Sequence, residues 1–255
     1  MILRLHRMED YIAPDHKEAL EKLFPDLFEG LWELKAPWVE PKNSRRGGWS
    51  GAKRVTLEGF PTLFMKKQEN HCFRALRNGF RRRPTLEREA VALAALTEKS
   101  VSVPPLIYYG SRVVDGRHQA LLLEPNLEGY LPLDELMKDE SSPWHQPLKK
   151  RQIIKAVGSA TRQMHDADWH HRHFHPKHVL LNFDEALPKV YFVDLEKARP
   201  IRRRGHDVIE DLGPLFRRTK TATLFDRALF MRAYSHCKRL GSTERQLMKR
   251  VAESS

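Results

Sequence analysis

A chain of 255 residues, 40% hydrophobic and 31% charged with no low-complexity tract, can bury a sizeable core as one large domain or a bilobal pair. Its longest apolar run, Ala90–Leu96, is far short of the ~20 residues that cross a bilayer, which excludes a spanning helix of the usual kind. The formal net charge of +12 points to a polyanionic partner, and nucleic acid, anionic lipid head groups and phosphorylated glycans satisfy it equally, as does a solvated basic surface with no partner. Met1–Asp10 mixes Arg4, His6, Arg7, Glu9 and Asp10 among its apolar residues, which is not the apolar core of a signal peptide. Cys72 and Cys237 form neither a zinc spacing nor a disulfide framework, and a soluble protein of the reducing cytoplasm is expected.

Asp15 is placed to cap a helical stretch over His16–Leu34, with Pro25 as its break or kink. A Pro-containing connector, Pro37–Pro41, leads to the glycine-rich segment Asn43–Gly51. Strands follow at Lys53–Glu58 and Thr62–Gln68, joined by a turn at Gly59–Pro61. Thr85–Lys99 reads as a helix capped by Thr85, with Leu86, Ala90, Leu93 and Ala94 at helical spacing. Strands at Leu106–Gly110 and His118–Glu124 flank a turn at Asp115–Gly116. From Leu133 the pattern turns helical, first over Pro147–Asp166 with Ile153, Ile154, Val157, Ala160 and Met164 on one face. A histidine-rich loop precedes two short strands, Val179–Asn182 and Val190–Val193. Asp207–Thr219, Thr223–Arg239 and the segment from Ser242 are helical. A sheet-rich part therefore gives way to a helical part near Pro125–Gly129.

Four segments carry candidate chemistry. The glycines of Arg45–Gly51 let backbone N–H groups approach phosphate oxygens, although an ordinary hairpin explains them equally well. Lys66 follows on the next strand and Glu89 on the next helix, a pairing that would aim an ammonium at phosphates. Six of the thirteen histidines fall between His165 and His178, and His171, His173 and His175 would share one face of an extended zinc-binding segment. Asp194 ends the apolar strand Val190–Val193, where a carboxylate must be hydrogen-bonded, paired, used as a cap or bound to a metal such as magnesium. Asp211 reads as a residue that orders the preceding loop from its helix.

In this order the motifs resemble a protein kinase, and more specifically the bacterial lipopolysaccharide core kinases, the Kdo and heptose kinase superfamily, in its InaA-type branch. The resemblance rests on Arg46–Ser50, Phe64–Asn70, Pro84–Thr85 with Arg88–Glu89, Met164–Ala167, Pro176–His178 and Val193–Arg199, and it runs from about Phe28 to Arg218. It implies an α+β, bilobal protein-kinase-like fold: a sheet-rich N-terminal lobe over about 1–124, a hinge at 125–129 and a helical C-terminal lobe over 130–255. It further implies ATP and Mg²⁺ as cofactors and a lipopolysaccharide core sugar, heptose or Kdo, as acceptor at the inner face of the inner membrane. Gly47, Gly48 and Ser50 would line the phosphates. Lys66 would contact them, paired by Glu89 with Glu87 as the substitute. Glu124–Leu127 would meet adenine, and Asp194 and His178 would hold the metal. His171 and Arg172 match the catalytic loop, but His173 stands where the kinase pattern has its aspartate. An imidazole can take a proton at neutral pH, so His173 and Arg172 are the expected catalytic pair beside Lys66 and Asp194. Without transfer the chain would be a nucleotide-binding or scaffold pseudokinase. No zinc-finger, RNP or basic-zipper pattern supports nucleic acid.

Overall fold

The structure is a computed structural model that describes residues 10–45, 47–74 and 81–254. Most of the Met1–Asp10 segment and Arg46 of the glycine-rich motif lie outside the described residues. The chain divides into two compact units. The first holds the described residues up to Ala94 together with Pro104–Leu127; the second holds Ala95–Val103 and the residues from Glu128 onward.

The first unit is built on a six-stranded antiparallel sheet: β1 (Tyr11–Ile12), β2 (Asn43–Arg45), β3 (Gly48–Val55), β4 (Leu63–Glu69), β7 (Tyr108–Val114) and β8 (Arg117–Pro125). Its strand order is β1-β7-β8-β4-β3-β2. A further pair, β5 (Cys72–Phe73) and β6 (Arg83–Pro84), stands apart from it. Side chains alternate across each strand, so Leu63, Met65, Leu121, Leu123 and Val55 fall on one face. There they pack with Leu20, Phe28 and Leu31 of α1 (Lys17–Leu23) and α2 (Leu27–Glu33). The opposite face carries Lys66 and Gln68 of β4, and α3 (Leu86–Glu98) follows in the chain. The helical stretch expected from the sequence is broken at Pro25 into two helices, α1 and α2. Asp15 lies inside a 3-10 turn, Pro14–His16, and caps nothing. Asp26, after Pro25, is the cap, with its Oδ1 accepting from Glu29 N–H at 3.0 Å.

The second unit centres on α5 (Pro147–Asp166), which packs on α7 (Leu224–Tyr234). At their crossing Gly158 lies so close to the Phe230 carbonyl that an added Cβ would stand 2.8 Å from it. α4 (Leu133–Lys138), α6 (Arg204–Arg218) and α8 (Ser242–Glu253) complete the helices. A small antiparallel sheet runs β12 (Lys189–Phe192), β11 (Val179–Asn182), β9 (Leu131–Pro132), and β10 (Trp169–His170) pairs with β13 (Arg199–Pro200). No helix among the described residues is long and apolar enough to cross a membrane.

Candidate functional site

The first unit gathers its chemistry around Lys66. Register sets this directly: Lys66 opposes Ala52 on β3 and Leu122 on β8, so it shares a face with Ser50, Gln68 and Glu124. Its Nζ donates to Glu89 Oε1 at 2.7 Å and lies 3.2 Å from Glu124 Oε1. Both carboxylates are buried. Glu87 instead pairs with Arg83. Glu124, expected from the sequence only beside adenine, is thus a second acid on the lysine. The carboxamide of Gln68 places α3: its Oε1 accepts from Thr85 Oγ1 at 2.9 Å and from Leu86 N–H at 3.1 Å. That gives the helix start, which follows Thr85, a partner from the neighbouring strand.

The glycine-rich segment is strand for most of its length, with β2 and β3 paired as a hairpin. Gly48 pairs with Arg45 across the β2–β3 turn, and Gly47 has φ +75 there, a left-handed conformation that favours glycine. A Cβ on Gly48 would meet the Asn70 backbone at 2.6 Å, so close packing accounts for that glycine. Ser50 faces the same side as Lys66, whereas Gly51 faces the other, under Trp38. Leu127, the last residue of the first unit, follows Asn126, whose N–H donates to Thr62 O at 3.0 Å.

The second unit organises its histidines from Asp211. This buried carboxylate accepts from the N–H groups of His171 at 2.6 Å and Arg172 at 2.7 Å, and it lies 3.1 Å from His165 Nε2. Burial works to raise its pKa, but His165 and the backbone donors win and hold it below the ordinary carboxylate value. Asp211 therefore orders the loop from α6, and Arg172 is held there with φ 60. The Arg172 guanidinium donates to Glu210 Oε1 at 3.2 Å. His171 is fully buried, and its Nε2 donates to Val193 O at 2.9 Å.

His173, His178 and Asp194 come together. His173 Nδ1 and His178 Nε2 each lie 3.1 Å from Asp194 Oδ2. Asp194 has φ 60 and makes no cap with its side chain, which removes the capping role open to it from sequence. The extended zinc segment does not form either, because His171 and His175 are not among the converging donors. Burial pushes His175 down to about 4, with His173 and Arg218 adding to the effect. Burial likewise pushes His178 down to about 4, against the raising influence of Asp194 and the His173 carbonyl. His178 is thus neutral, with its proton on Nδ1, which donates to His173 O at 2.8 Å. Its Nε2 lone pair faces a carboxylate oxygen, an arrangement that suits a cation between them. The residues present therefore fit a divalent metal. Among the described residues a second such group is His170, Asp207 and Glu210. There Asp207 is occupied: its Oδ2 accepts from Arg202 N–H at 2.8 Å and Arg203 N–H at 2.9 Å.

A sheet unit holding a lysine between two acids and a helical unit converging two histidines on an aspartate define a mixed α/β protein with the fold of WaaP. The solved structure "WaaP in complex with acyl carrier protein" superposes with a TM-score of 0.66 at 21% identity, over 96% of this chain and 98% of that one. Residues 29–234 match the Lipopolysaccharide kinase (Kdo/WaaP) family, and the chain belongs to that family. Within it the chain sits in the InaA-type branch: it is 29% identical over 191 residues to Protein InaA of Escherichia coli (strain K12), covering 74% of this chain and 87% of that protein.

Proposed function

We propose that this protein is an ATP-dependent phosphotransferase that phosphorylates a heptose or Kdo sugar of the lipopolysaccharide core. The observation that carries the reading is the Lys66 ammonium, fixed 2.7 Å from Glu89 and 3.2 Å from Glu124 on the face that also bears Ser50. An ammonium oriented this way meets the nucleotide phosphates without a search through rotamers. The working fold is a bilobal kinase-like one, with lobes over about 1–124 and 130–255 and a hinge at 125–129. In it Gly47, Gly48 and Ser50 line the phosphates, and the backbone of Glu124–Leu127 meets adenine. Asp194 and His178 would hold a divalent cation, read from the sequence as Mg²⁺, and a bound dication supplies neutralisation of charge on the transferring phosphoryl group. The net charge of +12 suits an anionic acceptor at the cytoplasmic face of the inner membrane, which the protein visits peripherally.

One observation favours a second reading. His173 holds the place of the kinase aspartate and is committed through Nδ1 to Asp194. A chain that binds ATP and transfers nothing, a nucleotide-binding scaffold in the cell envelope, fits that commitment. The test is transfer of labelled γ-phosphate from ATP to purified core oligosaccharide, with the product identified by mass spectrometry. Labelled sugar supports the phosphotransferase. Bound ATP with no label on any core sugar supports the scaffold, and no ATP binding overturns both.

A further inference from the structure

We infer that His173 is a third protein ligand of the cation centre, and that this set of two imidazole nitrogens and one carboxylate selects a first-row transition dication over Mg²⁺. The identity of the ion deepens the phosphotransferase reading and rests on it only for the ion's task; the three donors lie wholly within the second unit.

The donor atoms of His173, His178 and Asp194 all lie within 4.8 Å of one another. Two imidazole nitrogens approach the same oxygen, Asp194 Oδ2, at 3.1 Å each. Their rings are 4.8 Å apart and inclined by 55°, so the nitrogens arrive from different directions instead of stacking. One ion between the three donors is shared by all of them, and the carboxylate charge is met at its centre. His175 is different: its ring stacks on His178 at 5.5 Å and 5° and contributes no donor to the set.

The surroundings orient the ligands as a metal site requires. The backbone carbonyl of His173 accepts from His178 Nδ1 and thereby turns Nε2 toward the centre. Val193 N–H donates to His178 O at 3.1 Å, and His171 Nε2 donates to Val193 O at 2.9 Å, tying the strand before Asp194 to the histidine loop. Imidazole nitrogen is a borderline donor that suits iron, nickel, copper and zinc, with manganese the weakest binder of the first-row series, whereas Mg²⁺ favours oxygen and retains its water. A kinase loop with aspartate at position 173 would offer oxygen there. Histidine replaces that oxygen with nitrogen, so the residue that breaks the kinase pattern is also the one that changes the metal. Three protein ligands leave coordination positions open for phosphate oxygens and water.

The test uses the full chain after chelation and leaves nucleotide out. Calorimetric titration with MnCl₂ and MgCl₂ is expected to give Mn²⁺ an affinity at least about tenfold higher. His173→Ala, checked for folding by circular dichroism, is expected to lower Mn²⁺ affinity by ~10–100-fold, the scale seen when metal-site partners are removed, with Mg²⁺ affected much less. His173→Asp should keep binding and lose the preference. Pulsed EPR on the Mn²⁺-loaded wild type should show couplings to two imidazole nitrogens, a readout that needs no variant to fold. Equal affinity for the two ions, or coupling to a single imidazole, overturns the inference while leaving ATP binding through Lys66 untouched. Manganese selectivity in a chain that fails to bind ATP would remove the phosphotransferase reading and keep this one.

Discussion

On β4 the ammonium of Lys66 sits between two carboxylates, whereas that of its neighbour Lys67 points to the other face of the sheet and finds no acid within salt-bridge distance among the described residues. Lys67 donates to the carbonyl of Trp32 near the end of α2, under the Trp32 ring at 4.6 Å. Lys53, on the same face, donates to Leu34 O at 3.0 Å and lies 4.7 Å from the Trp38 ring. These two lysines satisfy the last carbonyls of a short helix, where a positive charge also meets the favourable end of its dipole. The difference is one of design. On the first face charge is met by charge, which keeps the ammonium aimed. On the second face charge is met by backbone and aromatic rings, which lock α2 to the sheet. Burial, reinforced by Lys53 and opposed by Glu33, accordingly pushes Lys67 down to about 8.

The largest effect expected from breaking this contrast is at Lys66. Lys66→Met takes a shared cation from two buried acids and should cost about 3–5 kcal/mol, the range for losing one partner of a buried ion pair. Combining it with Glu89→Gln and Glu124→Gln should restore part of that loss in urea denaturation. A loss no larger than that of Lys67→Met would show that the acids do not depend on the lysine.

A smaller effect is expected on the opposite face. Gly51→Ala puts a Cβ 2.8 Å from the Trp38 ring, which roofs the sheet beside Lys53. The overpacking should cost about 1–3 kcal/mol, read as a lower midpoint in chemical denaturation. ATP affinity should be unchanged, because the clash is on the face away from Lys66.

A third effect is a pH dependence. The folded protein holds Lys67 below the ordinary lysine value, so the unfolded chain binds the proton more tightly. Stability from this group is therefore lowest below about pH 8 and rises as pH climbs from there toward the ordinary lysine pKa. Thermal unfolding of wild type and Lys67→Met should show wild type gaining relative to the variant between pH 7 and pH 10. A gap that is constant with pH would mean that the lysine is not strained by its burial.

Much of the first face was legible because its determinants are local. Alternation along Leu63–Glu69 turns Lys66 away from the core, and helical spacing after Thr85 brings Glu89 to it. Lys67 was legible only as a residue facing the other way. Its partner carbonyl lies 35 positions earlier, at the end of a helix whose boundary depends on Asp26 instead of Asp15. The Glu124 side chain was missed because its direction follows from the β4–β8 register, which strand patterns alone do not set. In the second unit the strands at Val179 and Val190 and the task of Asp211 were readable. The contact of His173 with Asp194 was not, because it spans 21 positions across a hairpin and carries no periodic signal. The histidine run looked like an extended ligand strip. Backbone bonds to Asp211 instead hold His171 inward and leave His173 and His178 to converge on Asp194.

The central claim is that the two faces of β4 divide the labour, with nucleotide phosphates on the Lys66 side alone. Calorimetric titration of ATP with its divalent cation into wild type, Lys66→Arg and Lys67→Met tests it most directly. Lys66→Arg keeps the charge that the buried acids need but changes the shape of the cation. The account predicts at least about a tenfold loss of ATP affinity for Lys66→Arg, from the misplaced cation, and an unchanged affinity for Lys67→Met. Equal losses in both variants, or none in either, would contradict it.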